Sequence, residues 1–184
     1  MGYTLLEAGG IPEHGMRAVY LSRRVHHDIA LTAATTSREC GGLLVGRVAR
    51  GGSVHVHHTV PLTPEESKPD SVSFNDDEAH RARVVVHKHY WPLEAVGEWH
   101  PHYYDAQCRL SNEEQLSDHD LHGMLMGDIE VIAVTYPLHG KVPVRAGRYG
   151  LVRVVRGTDI CVRLEAWVKV ASLRAEACTM GVLR

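Results

Sequence analysis

Two histidines stand two residues apart in the segment Gly97-Glu98-Trp99-His100-Pro101-His102. In extended backbone, residues i and i+2 point to the same side. Two imidazoles at one strand end can therefore share a metal ion, and neutral histidine is the commonest metal ligand. A catalytic zinc takes three protein ligands and leaves a fourth position open to water. His100 and His102 supply two of the three. A carboxylate is the expected third, and Asp105, Glu113 and Glu114 all follow within a short stretch. Attack of water on an amide also needs a base to take a proton and an acid to return it to the leaving amine. One carboxylate within reach can do both.

Two further stretches sharpen the pattern. Upstream lies Glu39-Cys40-Gly41-Gly42-Leu43-Leu44-Val45-Gly46, and downstream Ser111-Asn112-Glu113-Glu114. Ser111 and Glu114 also fit a helix capping box, which needs no metal. His87 and His89 share the two-residue spacing. They fall late in a helical segment, where i and i+2 do not face each other, so they are not expected to bind metal.

An acid before a glycine- and leucine-rich strand, then Gly-Glu-Trp-His-x-His, then Ser-x-x-acid, resembles the JAMM metalloproteases. These are the catalytic, MPN-plus members of the JAB superfamily, and the form here is most similar to the prokaryotic JAB branch. The resemblance runs from Glu39 to Glu114. It implies an α/β (α+β) fold, a cytidine-deaminase-like three-layer sandwich with a mixed sheet flanked by helices. It implies one zinc per chain held by His100, His102 and Glu114, with Glu39 as general base and Ser111 donating to the oxyanion. It also implies hydrolysis of an amide bond after the C-terminal glycine of a ubiquitin-like or sulfur-carrier protein. Tyr103, Tyr104 and the segment 61–73 are candidate substrate contacts. The chain departs from the family pattern at three places. Glu114 stands where the family has aspartate, the loop from His102 to Ser111 is one residue longer, and Pro101 separates the histidines. Many family members are non-catalytic scaffolds, which is the alternative reading.

The rest of the chain narrows the class. It has 184 residues, 44% hydrophobic and 23% charged, and a formal net charge of -2. The basic residues are dispersed, so nucleic acid is not an expected partner. No run approaches the roughly 18 apolar residues that suggest a membrane helix, and no secretory signal stands at the N-terminus. Cys40, Cys108, Cys161 and Cys178 form no Cys-x-x-Cys pair. A reduced, cytoplasmic protein is the expectation. The sequence specifies no oligomeric state. Neither a His-Glu-x-x-His helix nor the Pro-Cys-x-x-Cys of the deaminases is present.

The elements that must position these residues can be outlined. Residues 1–17 read as an irregular lead-in and 18–184 as one domain. Ala18 to Leu21 is a strand candidate, and Ser22 caps a helix running to about Thr36. Gly41 to Val48 and a partner around Val54 to Val60 form a hairpin about Gly51-Gly52. The prolines of 61–73 mark a long loop. Asn75 or Asp76 caps a helix with Ala79, Ala82, Val85 and Val86 inward. Leu93 to Trp99 is a strand that delivers the histidine pair. Ser111 to about Leu125 is a third helix. Ile129 to Tyr136, Tyr149 to Val155 and Ile160 to Val170 are strands, with a turn-rich connection over 137–147.

Overall fold

Ser22 starts the first helix as its type predicts: its Oγ accepts a hydrogen bond from the backbone N–H of Val25 at 3.2 Å. In the computed structural model, which describes residues 18–36, 40–67, 72–103, 116, 118–137 and 150–183, helix α1 spans Arg23–Thr35. It follows β1 (Ala18–Leu21). Its buried residues Val25, Ile29, Ala30, Ala33 and Ala34 recur at helical spacing. Helix α2 (Asp76–His89) is capped by Asn75, whose Oδ1 accepts from Asp77 and Glu78. Val86 is buried on this helix, whereas Val85, expected inward, is 52% exposed.

The strands are β2 (Gly41–Val48), β3 (Val54–Leu62), β6 (Glu94–Tyr103), β7 (Ile129–Pro137), β8 (Gly150–Val154), β9 (Ile160–Ala171) and β10 (Arg174–Val182), with a small hairpin of β4 (Pro64–Ser67) and β5 (Val72–Phe74). The hairpin lies where the prolines suggested a loop. Pro64 is its first residue, a position that needs no donor to the ladder. The short helix α3 (Asp118–Gly123) replaces the described part of the expected 111–125 helix. Residues 1–17, 111–115 and 138–147, read above as lead-in, helix start and connection, lie outside the described residues.

The expected helix-flanked sandwich is not found. The sheet runs β10-β1-β3-β2-β6-β7-β9, and β9 pairs back onto β10, so seven strands close into a mixed barrel with β8 attached to β9. β10 makes the closure. It pairs in parallel with β1, Ala18 opposite Thr179, and antiparallel with β9, Ala177 opposite Trp167. Closure leaves few free strand edges. It also turns one face of every strand onto a shared interior. Val19, Leu44, Val56, Val131, Leu164 and Met180 meet there. α1 joins the same core through its buried face and packs against β1, β3, β7 and β9, while Arg23, Arg24, His27 and Leu31 stay exposed. Each buried Val or Ile contributes about 1.5–3 kcal/mol. Outside, α2 covers Leu43, Val45 and Leu62.

β6 and β7 run in parallel, with Glu98 opposite Glu130 and His100 opposite Ile132. Gly97 enables this approach. Its φ is +154°, and a Cβ built on it would lie 1.9 Å from the carbonyl oxygen of Ile129. The β2–β6 register shifts beside it, between Leu44 and Val45. No other residue type fits without moving β7. Gly97→Ala should therefore destabilise the protein by about 2–4 kcal/mol. That is a loss of roughly 5–15 °C in thermal midpoint for a domain of this size. Gly123→Ala, where an added Cβ meets nothing within 4 Å, should change it little.

Candidate metal centre

The alternation of β6 decides which side chains reach the site. Trp99 points into the barrel, 4% exposed, and donates its indole N–H to Thr59 Oγ1 at 2.8 Å. Glu98, His100 and His102 therefore share the outer face. His100 is buried, and the His102 side chain is 19% exposed. The crossover from β6 to β7 passes over this face and carries α3. Asp120, in the middle of α3, comes down onto both rings.

His100, His102 and Asp120 form the one group of metal-ligand type among the described residues, each offering a ligand atom within 4.8 Å of the others. His100 Nε2 lies 3.0 Å from His102 Nε2 and 3.3 Å from Asp120 Oδ1. His102 Nε2 lies 3.5 Å from Asp120 Oδ2. A tetrahedral ion with ligands at about 2.0–2.1 Å holds neighbouring ligand atoms about 3.3 Å apart. The two nitrogens lie near that spacing, and the Asp120 carboxylate approaches each of them through a different oxygen. Two imidazoles and a carboxylate are also the donor set of many catalytic zinc sites.

Three further carboxylates, Glu130, Glu98 and Asp128, lie behind the ligands. Glu130 Oε1 is 2.9 Å from His100 Nδ1, on the far side of the ring from Nε2. Arg83, from α2, donates through one Nη2 to Glu98 Oε1 at 3.1 Å and Asp128 Oδ2 at 2.9 Å. Lys169 on β9 is buried and donates to the carbonyls of Leu121 and Met124, both at 2.8 Å. It occupies the place of a C-terminal helix cap and fixes α3 over the site. A cavity of about 240 Å³ opens beside Glu130, between Arg83, Glu98, Met124 and Leu125.

The charge balance favours a cation. Burial opposes protonation of His100, but hydrogen bonds to Asp120 and Glu130, and their charges, outweigh it and push the ring up to about 10. Burial raises Glu130 above the ordinary carboxylate range, with Glu98 and Asp120 adding to the shift and His100 opposing it.

His100 and His102 meet as the sequence predicts. Asp120 was not foreseen, although Ser117-Asp118-His119-Asp120 repeats the Ser-x-x-acid spacing of Ser111 to Glu114 six residues later. Glu39, Tyr104, Asp105, Ser111, Glu113 and Glu114 lie outside the described residues. Tyr103 is the last residue of β6.

No protein-family model and no curated protein matches the chain. Its fold is similar to two proteins solved in solution. One is from Desulfitobacterium hafniense, at 14% identity and a TM-score of 0.58, covering 90% of this chain and 93% of that one. The other is from Salinibacter ruber, at 18% identity and a TM-score of 0.52, covering 89% and 91%. These likenesses concern the fold. No helix of the described residues is long and apolar enough to cross a membrane.

A zinc titration of the full chain distinguishes the candidate third ligands. Asp120→Asn should weaken binding by roughly a hundredfold or more, beyond the ten- to hundredfold typical of an outer-shell partner. Glu114→Gln should leave it unchanged. Binding must displace the His100 proton, so wild-type affinity should rise about tenfold per pH unit between pH 6 and 8.

Proposed function

We propose that the chain is a zinc-dependent metallopeptidase of the JAMM type. Its substrate is an amide bond after the C-terminal glycine of a ubiquitin-like or sulfur-carrier protein. The observation that carries this reading is the convergence of His100, His102 and Asp120 at the spacing of a tetrahedral ion. The Glu-Trp-His-x-His sequence that bears the histidines supports it.

A bound zinc would supply a water of lowered pKa and a Lewis acid for the amide carbonyl. The remaining work falls to the chain. His100 and His102 offer Nε2, and Asp120 one carboxylate oxygen, which leaves a side for substrate. Glu39 is the general base that takes the proton of the attacking water and returns it to the leaving amine. Asp120 as third ligand makes Ser117, rather than Ser111, the serine of the Ser-x-x-acid unit. Ser117 lies outside the described residues, and by its spacing to Asp120 its hydroxyl would be the donor to the developing oxyanion. An extended substrate tail would pair along a strand edge, and glycine at the scissile bond would permit close approach to the ion.

The test uses zinc-loaded protein and a fusion of a glycine-terminated ubiquitin-like protein to a C-terminal reporter peptide. Cleavage directly after the glycine is expected, with mass spectrometry locating the cut. Glu39→Gln should keep its zinc and lose cleavage by about 10²-fold or more. Cleavage by that variant at the wild-type rate would refute the general-base role. Zinc uptake by wild type without cleavage of ubiquitin-like or sulfur-carrier fusions would favour the non-catalytic scaffold.

A further inference from the structure

We infer that Glu130 is a positioning residue for the metal centre, holding His100 as an Nε2 ligand and setting how tightly the centre keeps its ion. The inference rests on the zinc reading above and adds a residue that the Glu-Trp-His-x-His pattern does not contain. Glu130 lies thirty residues downstream of His100, on the neighbouring strand, and is 7% exposed.

The geometry assigns the role. An imidazole has two nitrogens, and which one faces a metal depends on the hydrogen bond made by the other. Here Glu130 Oε1 engages Nδ1 at 2.9 Å. An ionised Glu130 can only accept, so that bond holds a proton on Nδ1 and, in the neutral ring, leaves the Nε2 lone pair available. Nε2 is the nitrogen that faces His102 and Asp120. Without the carboxylate, the ring is free to take the other tautomer or to turn about χ2, and either change removes the lone pair from the ion. Glu130 is not itself a ligand in this arrangement, because its contact lies across the ring from the three ligand atoms.

Burial argues against a merely structural part. The outward side chains that follow along β7, Ile132, Val134 and Tyr136, are apolar and pack together. An aliphatic residue at 130 would extend that patch without the cost of taking a carboxylate out of water. The chain instead places an acid there, aimed at the ring of a metal ligand. Carboxylate–histidine–metal relays of this kind commonly change metal affinity about ten- to hundredfold when the carboxylate is removed.

The experiment measures zinc affinity of the full chain by competition with a chromophoric chelator, together with the visible spectrum of the cobalt(II) form. Wild type, Glu130→Gln and Glu130→Ala are compared. Glu130→Gln keeps an acceptor oxygen on Nδ1 and should stay within a few-fold of wild type. Glu130→Ala should bind zinc about ten- to hundredfold more weakly, with shifted cobalt bands. Circular dichroism checks that each variant is folded. Should Glu130→Ala fail to fold, Glu130→Leu, suited to a buried strand, takes its place with the same expected loss. A folded variant without the carboxylate that matches wild type in both affinity and spectrum would overturn the inference and leave the metal site standing. A wild type that takes up neither ion would overturn the zinc reading and this inference with it.

Discussion

The parallel pairing of β6 with β7 is the constraint on which the site depends. Parallel neighbours cannot be joined by a tight turn, so the chain must leave the sheet and cross over before β7 begins. That crossover carries α3 across the outer face of β6, where alternation has already placed His100 and His102. Asp120, on that helix, is thereby brought to the histidines. The same pairing sets Glu98 opposite Glu130, which places Glu130 within reach of the His100 ring. Gly97 permits the close contact of the two strands, and Lys169 anchors the crossover at its far end. Ligands from a strand and from a crossover are held by one piece of sheet geometry.

The electrostatics follow from that geometry. Four acids, Glu98, Asp120, Asp128 and Glu130, gather on one partly buried face, and Arg83 answers two of them. Burial pushes Asp128 above the usual carboxylate range even with Arg83 opposing. At His100 burial opposes protonation, and Asp120 and Glu130 together outweigh it. A divalent ion would take the place of a proton there and would find one ligand atom from each of His100, His102 and Asp120 within 4.8 Å of the others.

Part of this was legible in the sequence, for identifiable reasons. Ser22 and Asn75 marked their helices because a cap is a local signal. The histidine pair was legible because extended backbone puts i and i+2 on one face. Asp120 was not, because two Ser-x-x-acid units, at Ser111 and Ser117, compete six residues apart and a loop sets no count between them. Glu130 was hidden because its relation to His100 comes from strand pairing across a long crossover. The flanked sandwich that the resemblance implies gives way to a barrel because β9 pairs back onto β10. The difference rests on β10, whose mixed run of Arg174, Glu176, Cys178 and Met180 carries little alternation. Its pairing joins Ala18 to Thr179, nearly the whole chain apart.

The most direct measurement is zinc K-edge X-ray absorption on the stoichiometrically loaded protein. A first shell of nitrogen and oxygen at about 2.0–2.2 Å, with the outer-shell scattering of two imidazole rings, is the predicted result. A sulfur shell at about 2.3 Å would place the ion on cysteine, and a shell without imidazole would place it elsewhere on the surface. Either would contradict a centre built from His100, His102 and Asp120.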